Sequence, residues 1–275
     1  MILEGKRALV TGGSKGIGKE MLIQLAQSGV EVLTVARSED LLISLKKDIE
    51  NAGGKLDYKV MDLSEEESMD SLMSWVYDTG GAEILVLNAG YLPKSAPYES
   101  DVKELGRAFF LNSTVPIYLA ERWVKNYHDL KNTGIRKPEY VLLVSSISGL
   151  MSWEDVSPAY TGSKAAVSAA FQNLRMAAVE NKWDTRFAAI YPHTIDTEMT
   201  QDKPWTRMTL DVVINSMMGM LKEEEPYKDH REVVLQIKEG GVYAGMMPIS
   251  NETNRPNKDV STWVKIAGND KIIRP

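Results

Sequence analysis

The stretch Thr11-Gly-Gly-Ser-Lys-Gly-Ile-Gly18 decides the fold of this chain of 275 residues. It follows a short apolar run at residues 7–10 and opens a segment, 17–28, whose apolar residues recur at helical spacing. Its glycines permit a tight turn, a close approach of the backbone to a phosphate, and close packing of helix on strand. The free N–H groups at the start of a helix favour a pyrophosphate there. We therefore expect a dinucleotide to contact Gly12, Ser14, Lys15, Gly16, Ile17 and Gly18.

An alternation of strands and helices continues through the first 190 residues. Apolar runs predict strands at residues 7–10, 30–36, 56–61, 84–87, 140–144 and 187–191, and residues 242–244 predict a last one. Helical spacing between the runs implies a parallel sheet with helices on both faces. The predicted fold class is α/β, a Rossmann-like doubly wound sheet of about seven strands.

The whole chain, residues 1–275, is predicted to be a single domain with three parts. Residues 3–192 form the nucleotide-binding and catalytic core. Residues 193–225, which are rich in methionine, form a helical substrate lid, and residues 246–275 form an irregular tail.

Composition excludes several classes of function. A net charge of −6 and a pI near 5.3 argue against a nucleic-acid surface. The chain has no cysteine, which excludes disulfides and thiolate metal sites, and its three histidines lack the spacing of a zinc hydrolase. No apolar run reaches the length of a membrane span, and the first residues lack the pattern of a signal peptide. We therefore expect no metal, no membrane span and a cytoplasmic location.

The end of the second predicted strand decides which dinucleotide binds. NAD sites place a carboxylate there for the ribose 2′-OH, whereas NADP sites use an arginine for the 2′-phosphate. This chain has Arg37 followed by Ser38, with no acidic residue before Glu39. A guanidinium forms a bidentate pair with phosphate, and Lys15 adds a positive charge nearby. Arg37 as an ordinary surface arginine is the alternative, but this pattern favours NADP(H).

Tyr160 and Lys164 lie four residues apart in a predicted helix, so the phenol and the ammonium share one face. A nearby positive charge lowers the pKa of a phenol from about 10, which suits a proton donor or acceptor near neutral pH. The spacing alone is weak evidence, because a chain with 11 tyrosines and 32 basic residues contains it by chance. Ser146 adds weight, since it follows the fifth strand at the sheet edge where ligands bind.

At these residues the chain resembles the short-chain dehydrogenase/reductase family, over about residues 3–200. The resemblance implies that Ser146 polarises a carbonyl and that Tyr160 is the general acid or base. It implies that Lys164 lowers the pKa of Tyr160 and binds the nicotinamide ribose. Asn112 matches the family's helix asparagine, which holds a water for proton relay. Five further residues match the family's cofactor contacts after the third and fourth strands: Asp62, Leu63, Asn88, Ala89 and Gly90.

The chain departs from the family after the sixth predicted strand. Where the family usually has Pro-Gly, this chain has Pro192 and His193. The pattern then continues, so the resemblance implies that Ile195 and Thr197, with Pro192, still contact the cofactor. His193 either lines the substrate pocket or lies at its rim. The segment after Met247 matches no family ending.

The substrate pocket is predicted from bulky residues near the catalytic set. Its candidate walls are Leu150, Met151, Trp153, His193, Met199, Trp205 and Met208. This mixture is apolar and adaptable, since methionine fills irregular gaps. It favours a small apolar carbonyl or secondary alcohol, such as a hydroxysteroid.

Several alternatives stay open at this point. The same fold supports a non-catalytic NADP-binding sensor or scaffold, an epimerase or dehydratase, or a 3-oxoacyl-type reductase. The last would need a basic patch beside the pocket, for which Lys203 and Arg207 are the candidates. The resemblance also implies a homodimer or homotetramer, formed through the predicted helices at about 102–127 and 159–181.

Overall fold

A computed structural model describes residues 1–95, 97–129, 134–227, 232–239, 241–247 and 262–274. The strands are β1 Arg7–Thr11, β2 Glu31–Ala36, β3 Lys55–Val60, β4 Ile84–Leu87, β5 Tyr140–Val144, β6 Arg186–Tyr191, β7 Arg207–Met208, β8 Glu232–Lys238, β9 Gly241–Met247, β10 Thr262–Ala267 and β11 Ile272–Ile273. The helices are α1 Gly16–Gln27, α2 Glu39–Asn51, α3 Glu66–Asp78, α4 Val102–Phe109, α5 Val115–Asp129, α6 Pro158–Glu180 and α7 Leu210–Lys222.

The main sheet has the strand order β10-β9-β8-β6-β5-β4-β1-β2-β3. Seven neighbouring strands of this sheet run parallel: β3, β2, β1, β4, β5, β6 and β8. At the β8 edge, β9 and β10 are added antiparallel. The connection from β1 passes to β2 on one side, and β4 lies on the other, so the strand order reverses at β1. In such sheets ligands bind outside the carboxyl ends of the strands at this reversal. The predicted doubly wound α/β fold is confirmed.

Two apolar layers hold the sheet between its helices. Successive side chains of a strand point to opposite faces, so Ala8 and Val10 pack in the layer with α1 and α7. Leu9, between them, packs in the other layer with α3, α5 and α6. All five residues of β1 are buried, as expected for a strand covered on both faces. None of the described helices is both long enough and apolar enough to cross a membrane.

The carboxyl-terminal part differs from the sequence prediction. The tail from residue 246 is not irregular where the structure describes it, because β9 pairs with β10 and β11 pairs with β7. Residues 248–261 and 275 of the predicted tail lie outside the described residues. The described sheet also contains β8 and β10, which apolar runs did not predict, and it exceeds seven strands.

The segment 193–225, predicted to be a helical lid, is helical only in its second half. Turns and the short strand β7 precede its only described helix, α7, whose Met217 and Met220 are buried in the core. A helix that is apolar almost all round lowers its free energy by packing on the sheet rather than by covering a pocket.

Gly18 tests the packing of α1 against the sheet. A Cβ on Gly18 would lie 2.3 Å from the carbonyl oxygen of Gly12 and 2.6 Å from Nδ2 of Asn88. Because the first of these atoms is backbone, we expect Gly18→Ala to lower the free energy of unfolding by about 1–3 kcal/mol. Gly106 is the matched control, since it lies in α4 with open space around it. Gly106→Ala should leave stability unchanged or raise it by about 0.5–1 kcal/mol. Chemical denaturation of both variants checks the prediction, and equal stabilities would contradict it.

Candidate active site

A cavity of about 710 Å³ opens at the carboxyl ends of the parallel strands, where the strand order reverses. It brings together the glycine-rich turn, the ends of β2 to β6 and the start of α6. The predicted cofactor contacts that line it are Gly12, Ser14, Lys15, Gly16, Ile17, Arg37, Ser38, Asp62, Leu63, Asn88, Ala89, Gly90, Tyr160, Lys164, Pro192, Ile195 and Thr197. Among the described residues, no group of three or more His, Asp or Glu side chains is placed to hold a metal ion.

The floor of the cavity is the start of α1. Gly12 and Gly16 have φ of 74° and 53°, a conformation that other residues rarely adopt. Lys15 occupies the N-cap position and makes no side-chain capping hydrogen bond to the helix. The first N–H groups of α1 are therefore left without a capping side chain, in the arrangement that binds phosphate. Thr197 closes this end, 3.4 Å from the position a Cβ on Gly16 would take.

Two residues of the predicted cofactor set also have a packing role. Gly18 does not line the cavity, and its missing side chain lets α1 approach β1 and β4. Asn88 lines the cavity, but its amide donates to the carbonyl oxygens of Thr11 at 2.9 Å and Gly12 at 3.3 Å. The Thr11 hydroxyl accepts the backbone N–H groups of Asn88 and Ala89, each at 3.0 Å. Thr11 therefore ties the ends of β1 and β4 together, a role the sequence prediction missed.

Arg37 lines the cavity directly after the end of β2. Its side chain is largely exposed, and Nη1 lies 3.6 Å from Oδ2 of Asp62. Burial opposes ionisation of Asp62, but the backbone N–H and hydroxyl of Ser64, together with Arg37, hold its pKa below the ordinary value. Asp62 thus stays anionic and positions the guanidinium without burying it.

Three of the four catalytic candidates, Ser146, Tyr160 and Lys164, meet in the same cavity. Ser146 begins a 3₁₀ turn at Ile147–Gly149, directly after β5. Tyr160 and Lys164 lie in the first two turns of α6, which Ser157 and Pro158 begin. The Lys164 ammonium is buried, donates to the carbonyl oxygen of Val144 at 3.3 Å and lies 5.8 Å from the centre of the Tyr160 ring.

The electrostatics of this group differ from the prediction. Lys164 was expected to lower the pKa of Tyr160, but burial of the phenol raises that pKa above its ordinary value of 10, and a side-chain hydrogen bond with Ser146 only opposes the rise. Burial likewise lowers the pKa of Lys164 to about 8. Loss of hydration, rather than attraction between the two groups, is therefore the main cause of both pKa shifts.

Asn112 lies behind this group rather than in the cavity wall. The predicted long helix is interrupted there by a π turn, Phe110–Thr114, between α4 and α5. The Asn112 side chain accepts the backbone N–H of Tyr91 at 2.7 Å, and it donates to the Tyr91 carbonyl at 2.8 Å and to Oγ of Ser163 at 3.0 Å. Its two amide donors are thus used by the protein, so the prediction that Asn112 holds a water does not apply to its side-chain N–H groups.

The predicted substrate walls are only partly brought together. Trp153, His193, Met199 and Trp205 line the cavity. Leu150 and Met151 do not, since they follow the 3₁₀ turn on the outside and are half-exposed. The prediction for Met208 is wrong for another reason, because this residue lies in β7 and is fully buried in the core.

A loop after β4 contributes residues that the sequence did not predict. Tyr91 and Leu92 line the cavity. The carboxylate of Glu104 holds this loop, accepting from the Tyr91 hydroxyl at 3.0 Å and the Lys94 backbone N–H at 2.8 Å. A hydrogen bond from Ser95, together with the bonds from Lys94 and Tyr91, lowers the pKa of Glu104 to about 2. Nothing in the sequence distinguishes Glu104 from the other acidic residues of exposed helices.

The sequence model of the family described as short chain dehydrogenase matches residues 6–207 of this chain. Among curated proteins, a 3beta-hydroxysteroid dehydrogenase 2 from Eggerthella lenta is 28% identical over 175 residues, which are 63% of this chain and 65% of that protein. A farnesol dehydrogenase from Aedes aegypti is 28% identical over 71% of this chain and 79% of its own length.

Solved structures share the fold. An alcohol dehydrogenase from the archaeon Thermococcus sibiricus, complexed with 5-hydroxy-NADP, is 26% identical. It superposes with a TM-score of 0.68, over 85% of this chain and 99% of its own. A 3-oxoacyl (acyl-carrier-protein) reductase from Agrobacterium tumefaciens with NADP bound is 23% identical. Its TM-score is 0.65, over 73% of this chain and 74% of its own, and at that identity the likeness concerns the fold alone.

A substitution of Lys164 tests whether its buried charge lowers the stability of the fold. Burial lowers the pKa of Lys164 from 10.5 to about 8. The buried charge therefore lowers the free energy of unfolding by its full amount below pH 8, and this loss of stability disappears as pH rises toward 10.5. We expect Lys164→Met to raise the free energy of unfolding at pH 7 on the order of 3 kcal/mol, with the gain shrinking between pH 8 and 10.5. Denaturation of both proteins across this pH range is the measurement. Lys19→Met, at an exposed position of α1, is the control. A destabilised Lys164→Met would contradict the expectation.

Proposed function

The chain belongs to the short-chain dehydrogenase family, and from that premise we propose that it is an NADP(H)-dependent oxidoreductase. The reaction moves a hydride between the nicotinamide and the carbonyl or secondary alcohol carbon of a small apolar substrate. The observation that carries the proposal is the meeting of Ser146, Tyr160 and Lys164 in one cavity with the glycine-rich turn. A hydroxysteroid is a candidate substrate, because a relative with that activity is 28% identical and the cavity contains apolar walls.

The residues present fit a dinucleotide phosphate. The start of α1 leaves its first N–H groups uncapped by a side chain, and a Cβ on Gly12 would approach within 3.0 Å of the Ala89 Cα. Gly12 and Gly16 line the cavity, so the backbone of this turn borders the space where the pyrophosphate would be held. Arg37 would hold the 2′-phosphate, and Lys15 would add charge. When bound, the cofactor supplies or accepts the hydride.

The chain's own residues handle the proton. Because burial raises the pKa of Tyr160, the phenol keeps its proton at neutral pH and is ready to donate it to a carbonyl oxygen. The Ser146 hydroxyl lies beside it and offers a second donor to the same oxygen, where negative charge develops. Lys164, just behind the ring, stabilises the phenolate that remains. The protonated phenol is the form that carbonyl reduction uses.

One alternative, a reductase of carrier-bound 3-oxoacyl groups, is less well supported. It needs free basic residues beside the pocket, but Arg207 already makes contacts within the protein. Its guanidinium pairs with Asp196 at 3.1 Å and donates to the carbonyl oxygens of Thr200 and Lys203, at 3.2 Å each. Lys203 lies 5.7 Å from the ring of Trp205. Arg207 therefore holds the loop before β7 instead of meeting an acidic carrier.

A non-catalytic NADP-binding sensor would not need a buried lysine and phenol at the cavity. An epimerase or dehydratase of this fold would be expected to carry a separate substrate domain, whereas the described residues form one layered unit. A cytoplasmic location and a homodimer or homotetramer stay predictions from sequence.

Removal of the phenol hydroxyl tests the catalytic assignment. We expect Tyr160→Phe to reduce kcat for ketone reduction by about 10²–10⁴-fold, because the proton donor is lost, while NADPH affinity changes little. Fluorescence titration with NADPH and turnover read at 340 nm provide the two measurements. Tyr98→Phe, at an exposed tyrosine, is the control and should retain full activity. Full activity in Tyr160→Phe would overturn the mechanism.

Arg37 tests the choice of cofactor. We expect Arg37→Ser to weaken NADPH binding about 10–100-fold, the loss of a charge-assisted pair with the 2′-phosphate, and to leave NADH binding nearly unchanged. Arg37→Lys should lose less, because the charge stays but the fork of donors does not. Direct titration with both nucleotides measures this. Equal loss for NADPH and NADH would mean that Arg37 does not contact the 2′-phosphate.

A further inference from the structure

His193 occupies a fixed position in the cavity wall, two residues after β6. Its backbone N–H donates to the carbonyl oxygen of Leu235 in β8 at 2.9 Å. The carbonyl oxygen of Pro192, just before it, accepts the N–H of Ile147 at 2.9 Å. His193 is therefore held between the sheet and the 3₁₀ turn that begins at Ser146. The side chain belongs to the same cavity as the catalytic group.

The hydrogen bonding of the ring identifies its tautomer. The backbone N–H of Thr194 donates to Nδ1 of His193 at 2.7 Å. A backbone N–H only donates, so Nδ1 must accept through its lone pair and the ring proton must sit on Nε2. Burial lowers the pKa of His193 below its ordinary value of 6.5, which keeps the ring neutral at neutral pH. The neutral imidazole therefore has one N–H donor, at Nε2.

The ring is also held from the side. Trp153 meets it edge-on, with ring centres 5.8 Å apart and an angle of 69° between the planes. Since Nδ1 faces the chain's own backbone, Nε2 lies at the far edge of the ring. The described residues give Nε2 no hydrogen-bond partner. An oriented donor without a partner among the described residues, in a cavity that Met199 and Trp205 also line, is suited to an oxygen of the ligand.

We propose that His193 determines specificity by donating from Nε2–H to a second oxygen of the substrate. This oxygen is distinct from the reacting oxygen beside Ser146 and Tyr160. The preferred substrates are apolar ketones or alcohols that carry a further carbonyl, hydroxyl or ether oxygen. A substrate with a methylene in place of that oxygen leaves the donor unpaired in the complex. Such a substrate should therefore react with a lower kcat/KM. The inference rests on the proposed function for the identity of the reacting group.

The test compares matched ketones on matched variants, with NADPH as the reductant. The ketones are 2-, 3- and 4-methoxycyclohexanone, each paired with the ethylcyclohexanone of the same substitution, so that one ether oxygen replaces one methylene. His193→Phe keeps an aromatic ring against Trp153 but has no donor, whereas His193→Gln keeps an N–H donor. Each ketone is compared with itself between variants, which cancels differences in intrinsic reactivity. Thermal unfolding of each variant verifies that it is folded.

For at least one methoxy ketone, we expect His193→Phe to lower kcat/KM about five- to tenfold, mainly by raising KM. For the ethyl partner of that ketone, kcat/KM should stay within about twofold of the wild-type value. His193→Gln should retain most of the wild-type preference. An equal fall for both members of every pair, or no fall for any methoxy ketone, would overturn the proposal.

A second measurement does not depend on turnover. Long-range ¹H–¹⁵N spectra of the histidine rings in the full-length protein report which nitrogen holds the proton. His193→Phe assigns the signal by its disappearance. A neutral ring with the proton on Nε2 supports the proposal, and a proton on Nδ1 overturns it. Failure of the wild type to reduce any ketone of the panel with NADPH would count against the proposed function, whereas the tautomer would still decide whether His193 presents this donor.

Discussion

The junction between the turn after β1 and the end of β4 is the contact on which the rest of the site depends. The Thr11 hydroxyl accepts hydrogen bonds from two successive backbone N–H groups, those of Asn88 and Ala89. The Asn88 side-chain amide in turn donates hydrogen bonds to the Thr11 and Gly12 carbonyl oxygens. Gly18 lets α1 lie directly against these groups, because even a methyl group would meet the Gly12 oxygen at 2.3 Å. The junction fixes the start of α1 relative to the strand ends, and thereby the floor of the cavity.

Dehydration governs the chemistry on the other side of that cavity. Burial raises the pKa of Tyr160 and lowers that of Lys164 to about 8, so both groups are pushed toward their neutral forms. A charged lysine in this position destabilises the fold, and a site that serves only packing would be filled better by an apolar side chain. The proposed proton chemistry therefore gives the pair a role that stability does not. The Asn112 side chain supports it from behind by fixing Tyr91 and Ser163 through three hydrogen bonds.

The parts that distinguish this chain within its fold lie at the substrate end. His193 stands where glycine is usual in the family, and its backbone and ring are both fixed by hydrogen bonds. The loop before β7 is held by Arg207, and β7 itself pairs with β11 from the far end of the chain. Residues distant in sequence thus stabilise this wall of the cavity. Substrate choice can vary here without disturbing the junction at β1 and β4.

The sequence by itself determined the order of strands and helices up to β6, the glycine-rich turn and the candidate set of Ser146, Tyr160 and Lys164. These depend on local patterns: apolar runs, glycine spacing, and residues four apart on one helix. Only the tertiary structure decided which methionines line the cavity, because Met199 and Met208 read alike in sequence but one lies at the cavity and the other in the core. It also decided that Asn112 lies in a π turn, that the tail adds β10 to the sheet, and that burial reverses the expected shift of the Tyr160 pKa. Each of these depends on neighbours far away along the chain, since burial and strand pairing are properties of the packed molecule and have no local signature.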